Sequence, residues 1–78
     1  MDAKRAAEIA MEYLRNLVGI VQAVRLEEVE YVVDDDGVEY WLVTLSYEST
    51  PSFARDYKVF RINDRTGKVL SMKIREMR

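Results

Sequence analysis

The chain contains no cysteine and no histidine among its 78 residues. Without cysteine it has no disulfide, although a domain of this length buries only about 60% or slightly more of its unfolded surface. The absence of both residue types removes the two commonest zinc ligands and the commonest general base. Catalytic triads of the Ser-His and Cys-His kinds are excluded. We therefore expect no catalytic residue, no metal site and no cofactor.

Neither sign of charge predominates, and no long apolar run is present. Twelve basic and fourteen acidic side chains leave a net charge of −2, which predicts no general affinity for nucleic acid or for an anionic membrane. No apolar run reaches the roughly 20 residues of a membrane helix. The N-terminal residues 1–8 are charged throughout, unlike the apolar region of a signal peptide. These features predict a cytoplasmic protein or a piece of a larger one.

What is present predicts a single folded domain, residues 1–78. The chain is 49% hydrophobic and 33% charged, which is ordinary for a globular domain and too apolar for disorder. A helix is predicted from about Asp2 to Val18, with Asp2 as its N-cap and Gly19 as the residue that ends it. Apolar side chains recur there at the spacing of one helical face: Ala6, Ile9, Ala10, Tyr13, Leu14 and Leu17.

Alternating apolar residues predict a first strand within 20–33, and their parity changes midway. Val24 and Leu26 share one parity, whereas Val29, Tyr31 and Val33 share the other. An extra residue at Glu27-Glu28, which is a β-bulge, would keep both sets on one face of the sheet. The other interpretation is a pair of short strands separated by a kink.

Three further strands are predicted, over 38–47, 57–63 and 68–75, and only 48–56 forms a long connection. The more apolar face of the second strand is expected to meet the helix, and it carries Trp41, Val43, Leu45 and Tyr47. Phe60 and Ile62 are expected on the core face of the third strand, with Leu70, Met72 and Ile74 on that of the fourth. Short turns favour pairing in the order 1-2-3-4. The predicted fold is α+β, with one helix on a four-stranded antiparallel sheet.

The sheet face away from the helix is predicted to be unusually apolar. Six side chains are expected on it: Val32, Tyr40, Leu42, Tyr57, Val59 and Val69. Monomers seldom leave an apolar patch of more than a few hundred Å² open to water. The sequence therefore predicts a homodimer, most simply a two-fold one, through this face.

Two loops have both a functional and a structural interpretation. The run 34–37, Asp-Asp-Asp-Gly, suggests calcium, but its carboxylates are contiguous and strands flank it, so a hairpin turn is favoured. The run 64–68, Asp-Arg-Thr-Gly-Lys, suggests a phosphate loop, but it lacks a glycine-rich run and a following helix. A turn with Gly67 in the left-handed conformation accounts for it.

Two sets of charged residues along the predicted strands are further candidate sites. Glu27, Glu28 and Glu30 could pair as general acid and base, but a charged edge that resists aggregation is the simpler interpretation. The same interpretation applies to the basic residues of the last strand, Lys73, Arg75 and Arg78.

Aromatic residues suggest a core and one contact loop. Tyr13, Tyr31, Trp41 and Tyr47 are favoured as core residues, because a small domain needs large side chains to bury enough area. Phe53 lies in a polar connection beside Pro51. It is predicted to be either a contact residue or a lid that folds back.

The chain resembles a PepSY domain. The resemblance lies in an alanine-rich helix with Ala6, Ala7, Ala10 and Tyr13, and in a strand entered at 21–26. It continues in the central strand 40–43, the strand 57–63 and the following turn at 64–69, Asp-Arg-Thr-Gly-Lys-Val. It implies a cystatin-like topology with no catalytic residues. It also implies an inhibitory or protein-binding role of the kind proposed for propeptides of secreted proteases and for envelope proteins.

Two functional hypotheses follow. The first is a small non-catalytic protein-interaction or regulatory domain that modulates a protease or an envelope protein, with Tyr40, Leu42, Phe53, Tyr57, Val59 and Val69 as its contact residues. The second is a small-molecule-binding domain with a pocket between helix and sheet, lined by Tyr13, Trp41 and Tyr47. A bulge at Glu27-Glu28 would supply the curvature that such a pocket needs.

Overall fold

The computed structural model describes residues 1–19, 21–48 and 54–75. One helix, α1 (Ala3–Val18), precedes four strands: β1 (Gln22–Val33), β2 (Glu39–Glu48), β3 (Arg55–Asn63) and β4 (Val69–Ile74). The strands form one antiparallel sheet in the order β1-β2-β3-β4, and α1 packs on one of its faces. The predicted α+β fold and strand order are confirmed.

The helix begins and ends as its terminal residues predict. The Asp2 carboxylate accepts a hydrogen bond of 2.8 Å from the backbone N–H of Arg5, as an N-cap does. Gly19 follows at a φ of +83° and donates its N–H to the Arg15 carbonyl oxygen. The small side chains of Ala6, Ala7 and Ala10 are buried, and this lets the helix lie close to the sheet.

The core lies between α1 and the sheet. Its fully buried side chains include Leu14 from the helix, Val43 and Leu45 from β2, and Phe60 and Ile62 from β3. The predicted core faces of β2 and β3 are therefore confirmed. The predicted helix face is too wide, since Tyr13 and Leu17 are exposed at its margin.

The predicted bulge in β1 is present at Glu27. Leu26 pairs with Leu45 and Glu28 pairs with Thr44, so Glu27 is the extra residue. Leu26 and Val29 therefore both lie on the helix side of one continuous strand. A second irregularity lies between Gln22 and Arg25, a feature that the sequence pattern did not predict.

The predicted parity of β4 is wrong at its start. Ile62 pairs with Val69, but Arg61 pairs with Ser71, so Leu70 is an extra residue in the ladder. Val69 consequently packs against the core, whereas Leu70 is 47% exposed. Met72 packs against the core as predicted. Ile74 lies on the helix side opposite Lys58 but is 74% exposed, because α1 does not cover it.

Both short loops are turns satisfied by their own side chains. Asp34 Oδ1 accepts hydrogen bonds of 2.9 Å from the N–H groups of Asp36 and Val38. Asn63 Oδ1 accepts bonds of 2.9 Å from the N–H groups of Arg65 and Thr66. Gly37 and Gly67 take positive φ values of 79° and 73°, as the turn interpretation requires.

A buried tyrosine predicts how stability changes at alkaline pH. Burial raises the pKa of Tyr47 above its usual value of 10.0, and the nearby Asp56 carboxylate raises it further. The unfolded chain therefore loses this proton at a lower pH than the folded one. The corresponding stability is complete below about pH 10 and is lost as the pH rises through the folded pKa.

We expect the Tyr47→Phe variant to lose less stability than the wild type as the pH rises above about 10. Urea unfolding of both proteins at a series of pH values measures the difference. Below about pH 9 the free energies of unfolding of the two proteins should differ by an amount that does not change with pH. If the free energy of unfolding declines equally in both proteins above about pH 10, the alkaline loss of stability does not come from Tyr47.

Candidate functional site

The sheet face opposite α1, here called the outer face, is the candidate site. Cross-strand partners share a face, so the register determines which side chains lie on it. From β2 it carries Tyr40, Leu42, Thr44, Ser46 and Glu48, and from β3 Arg55, Tyr57, Val59, Arg61 and Asn63. The edge strands contribute Glu28, Glu30 and Val32 from β1 and Ser71 and Lys73 from β4. Within the described ranges no other element covers this face.

The centre of the outer face is apolar. Leu42, Tyr57 and Val59 are half-buried there on β2 and β3, and Val32 is half-buried on β1. Tyr40 lies on the same face but is only 9% exposed. The sequence placed these five residues together, and the register brings them onto one surface.

Two other predicted contact residues do not join this surface. Val69 lies on the opposite, helix side of the sheet and packs against the core, because the bulge at Leu70 reverses the parity of β4. Its assignment to the outer face is wrong. Phe53 lies outside the described residues.

Arg61 covers Tyr40. Its guanidinium carbon lies 3.8 Å from the centre of the Tyr40 ring, a cation–π arrangement. Its Nη2 lies 3.8 Å from the Asp34 carboxylate at the end of β1. The ring is therefore shielded by a charged group of the same face, which makes the apolar patch smaller than the sequence predicted.

Arg75 lies across the middle of the outer face. Its Nη1 donates a hydrogen bond of 3.0 Å to Thr44 Oγ1 and lies 3.4 Å from Glu28 Oε1. The side chain thus bridges from the end of β4 to β2 and β1. Thr44, which is almost fully buried, gains a partner for its hydroxyl.

Arg55 joins three strands near the other end of the face. Its Nε and Nη2 donate bonds of 3.1 and 2.9 Å to Ser46 Oγ, and Nη2 also donates to the carbonyl oxygen of Ala23. Its Nη1 lies 3.5 Å from Glu48 Oε1. Ser46 Oγ in turn donates a bond of 2.9 Å to Glu27 Oε2.

The sequence pattern predicted Arg75 at a charged edge and did not single out Arg55. A signal was available, because Arg55, Tyr57, Val59 and Arg61 recur at the two-residue period of one strand face. This two-residue repeat does not show how far each side chain reaches across the neighbouring strands.

Two of the three glutamates of β1, Glu27 and Glu28, are held by polar partners instead of facing one another. Glu27 accepts the Ser46 hydroxyl, and Glu28 lies beside Arg75. Glu30 is exposed, with Leu42 as its cross-strand partner. This arrangement is typical of a charged sheet edge.

The aromatic residues of the proposed pocket do not converge. Trp41 and Tyr47 are six residues apart on β2, a span of roughly 20 Å, and the fully buried Val43 and Leu45 occupy the helix-side positions between them. Tyr13 packs edge-on against Phe60, with ring centres 6.1 Å apart.

A small aromatic cluster lies instead near the turns. The rings of Tyr31 and Trp41 are 5.2 Å apart, and Trp41 Nε1 donates a bond of 2.7 Å to Asp64 Oδ1. Burial raises the pKa of Tyr31, and its hydrogen bond to the Glu39 carboxylate raises it further. The cluster fixes the β1–β2 end of the sheet to the turn before β4.

The surface also has two open depressions. One lies between the two turns, beside Val38 and Arg65, and the other lies between α1 and the start of β4, beside Tyr13 and Val69. In the described part of the chain no group of three or more Asp, Glu, His or Cys side chains is placed to hold a metal ion. Over the same ranges no helix is long and apolar enough to cross a membrane.

Comparisons of the chain with protein-family models, with curated proteins and with solved structures found no match.

Proposed function

We propose that this chain is a small non-catalytic protein-interaction or regulatory domain of PepSY-like form that binds through its outer face, including to a second copy of itself. The observation that supports the proposal is an apolar centre on a sheet face that the helix leaves uncovered. Leu42, Tyr57 and Val59 form this centre. The Arg61–Asp34 pair borders it, and the Arg75 side chain crosses it to reach Thr44 and Glu28. An apolar core with a polar rim is the usual composition of a protein–protein contact.

The size of the outer face is compatible with a weak dimer. Four strands about 4.8 Å apart and about 30 Å long give a face of roughly 600 Å². Stable interfaces bury about 800 Å² per partner, and the smallest of them about 600 Å². We therefore expect association in the micromolar range.

The resemblance to PepSY domains supports the choice of partner class. It favours modulation of a protease or an envelope protein, with the outer face as the contact surface. The absence of histidine and cysteine supports a role without catalysis.

We expect the Leu42→Glu variant to be monomeric at concentrations at which the wild type dimerises. The substitution places a charge at the centre of the contact, where its desolvation is unfavourable. Sedimentation velocity over a range of micromolar concentrations measures the change in mass, and thermal unfolding checks that the variant is folded.

Leu26→Glu is the matched control, because Leu26 is an exposed leucine on the helix side of β1. The same chemical change there should leave the dimer intact. A wild type that stays monomeric throughout, or a Leu42→Glu variant with unchanged mass, would overturn self-association.

A further inference from the structure

The charges of the outer face are separated between its two halves. The β1–β2 half carries four carboxylates, from Glu27, Glu28, Glu30 and Glu48, and the cation Arg25. The β3–β4 half carries four cations and no carboxylate among the described residues: Arg55, Arg61, Lys73 and Arg75. The guanidinium groups of Arg55 and Arg75 extend over β2 towards β1, so the difference in charge holds at the outermost strands. There the edge at β1 carries Glu28 and Glu30, and the edge at β4 carries Lys73.

Three of these charges, those of Arg25, Glu30 and Lys73, form no ion pair with a described residue, and only Glu30 and Lys73 combine opposite signs with opposite edges of the face. Glu30 on β1 and Lys73 on β4 are both exposed. They lie at opposite edges of the face and at adjacent levels of the sheet. Glu30 is level with Leu42, Arg61 and Ser71, and Lys73 is level with Val59 and Thr44.

A two-fold dimer of sheets stacked face to face has two simple arrangements. If the axis is parallel to the strands, β1 of each copy lies over β4 of the other. If the axis crosses the strands, β1 lies over β1 and β4 over β4. Only the first arrangement places the acidic edge of one copy over the basic edge of its partner.

We propose that two copies pack through their outer faces about an axis parallel to the strands, with Glu30 of each copy paired with the partner's Lys73. This inference rests on the proposed self-association and adds its orientation. Sheets that pack face to face commonly keep their strands within about 30° of one another. The symmetry makes the ion pair twice, once on each side of the axis.

The arrangement with the crossed axis is disfavoured by the same charges. It would place Glu28 and Glu30 against the acidic edge of the partner and Lys73 against its basic edge. Like charges at an interface oppose association, whereas complementary edges select one orientation.

Charge exchange tests the orientation. We expect Glu30→Lys and Lys73→Glu each to raise the dimer Kd about tenfold, because each places two like-charge contacts in its own homodimer. An equimolar mixture of the two variants should dimerise as tightly as the wild type, since both contacts are then Lys-Glu pairs. The double variant should do the same.

Sedimentation equilibrium gives the five Kd values, for the wild type, the two single variants, their mixture and the double variant. Low ionic strength is used because salt screens charges at the rim. Glu12→Lys and Lys4→Glu, which reverse exposed charges on α1, should leave Kd unchanged. If Glu30→Lys tightens the dimer, or if the mixture dimerises no better than either variant alone, the proposed axis is wrong. If the wild type is dimeric, either of these results overturns only the orientation of the axis. If the wild type is monomeric, the orientation and the self-association are both overturned.

Discussion

Replacing Phe60 with alanine should lower the free energy of unfolding by about 3–5 kcal/mol. Phe60 is 0% exposed and lies at the centre of the sheet, opposite Val43 on β2 and Met72 on β4. Tyr13 packs edge-on against its ring at an interplanar angle of 77°. Truncation would remove these contacts and leave a cavity that the β2 and β4 backbones cannot close.

The loss should be large relative to the total stability of the domain. Single cores of 70–80 residues rarely supply more than about 3–5 kcal/mol, so a substantial fraction of the Phe60→Ala variant should be unfolded at 25 °C. Urea unfolding followed by Trp41 fluorescence and far-ultraviolet circular dichroism measures the change. Ile74→Ala, at an exposed apolar position, should stay within about 0.5 kcal/mol of the wild type.

A Phe60→Ala variant that loses less than about 1 kcal/mol would contradict the central position of this ring. An equal loss in Ile74→Ala would show that α1 or another segment covers the end of β4 in solution.

The second large effect is expected at Arg55. Arg55→Ala should lower the free energy of unfolding by about 2 kcal/mol, because a hydrogen bond to a charged group contributes roughly 1.5–3 kcal/mol to stability. The side chain is 16% exposed and donates to Ser46 Oγ and to the carbonyl oxygen of Ala23. Ala23 has a φ of +51°, which is unfavourable for a residue other than glycine.

Arg25→Ala is the matched control for Arg55→Ala. Arg25 belongs to the same face but is exposed and forms no ion pair with a described residue, so its loss should change stability by less than about 0.5 kcal/mol. Thermal and urea unfolding measure both variants. Equal losses for the two arginines would show that Arg55 contributes only its charge. Hydrogen exchange of the amides around Ala23 should increase in Arg55→Ala alone.

Much of the fold could be predicted because its signals are local. The Asp2 cap, the Gly19 terminus and the turns at Asp34 and Asn63 each depend on side chains within a few residues of the backbone that they satisfy. The bulge at Glu27 was also predictable, since the parity of the apolar residues in β1 changes there while both sets need the core.

The bulge at Leu70 had no such signal. Val69 and Leu70 are both apolar, so either of them could continue the core face of Met72 and Ile74. Pairing with β3 decides which of the two residues faces the core. Val69 pairs with Ile62 on the core side, and Leu70 is left out of the ladder. One of the six predicted outer-face residues, Val69, was misplaced for this reason.

The sequence by itself determined the helix, the four strands, their order and the period-two alternation that gives the sheet an apolar outer face. These features depend on chain neighbours and on hydrophobic periodicity. Only the tertiary structure decided which arginines lie across that face. Arg55, Arg61 and Arg75 reach partners 7 to 47 positions away, because a long flexible side chain takes the carboxylates and hydroxyls that strand pairing brings within its reach. The separation of charge between the two edges has the same origin, since it exists only once β1 and β4 lie on opposite sides of one sheet.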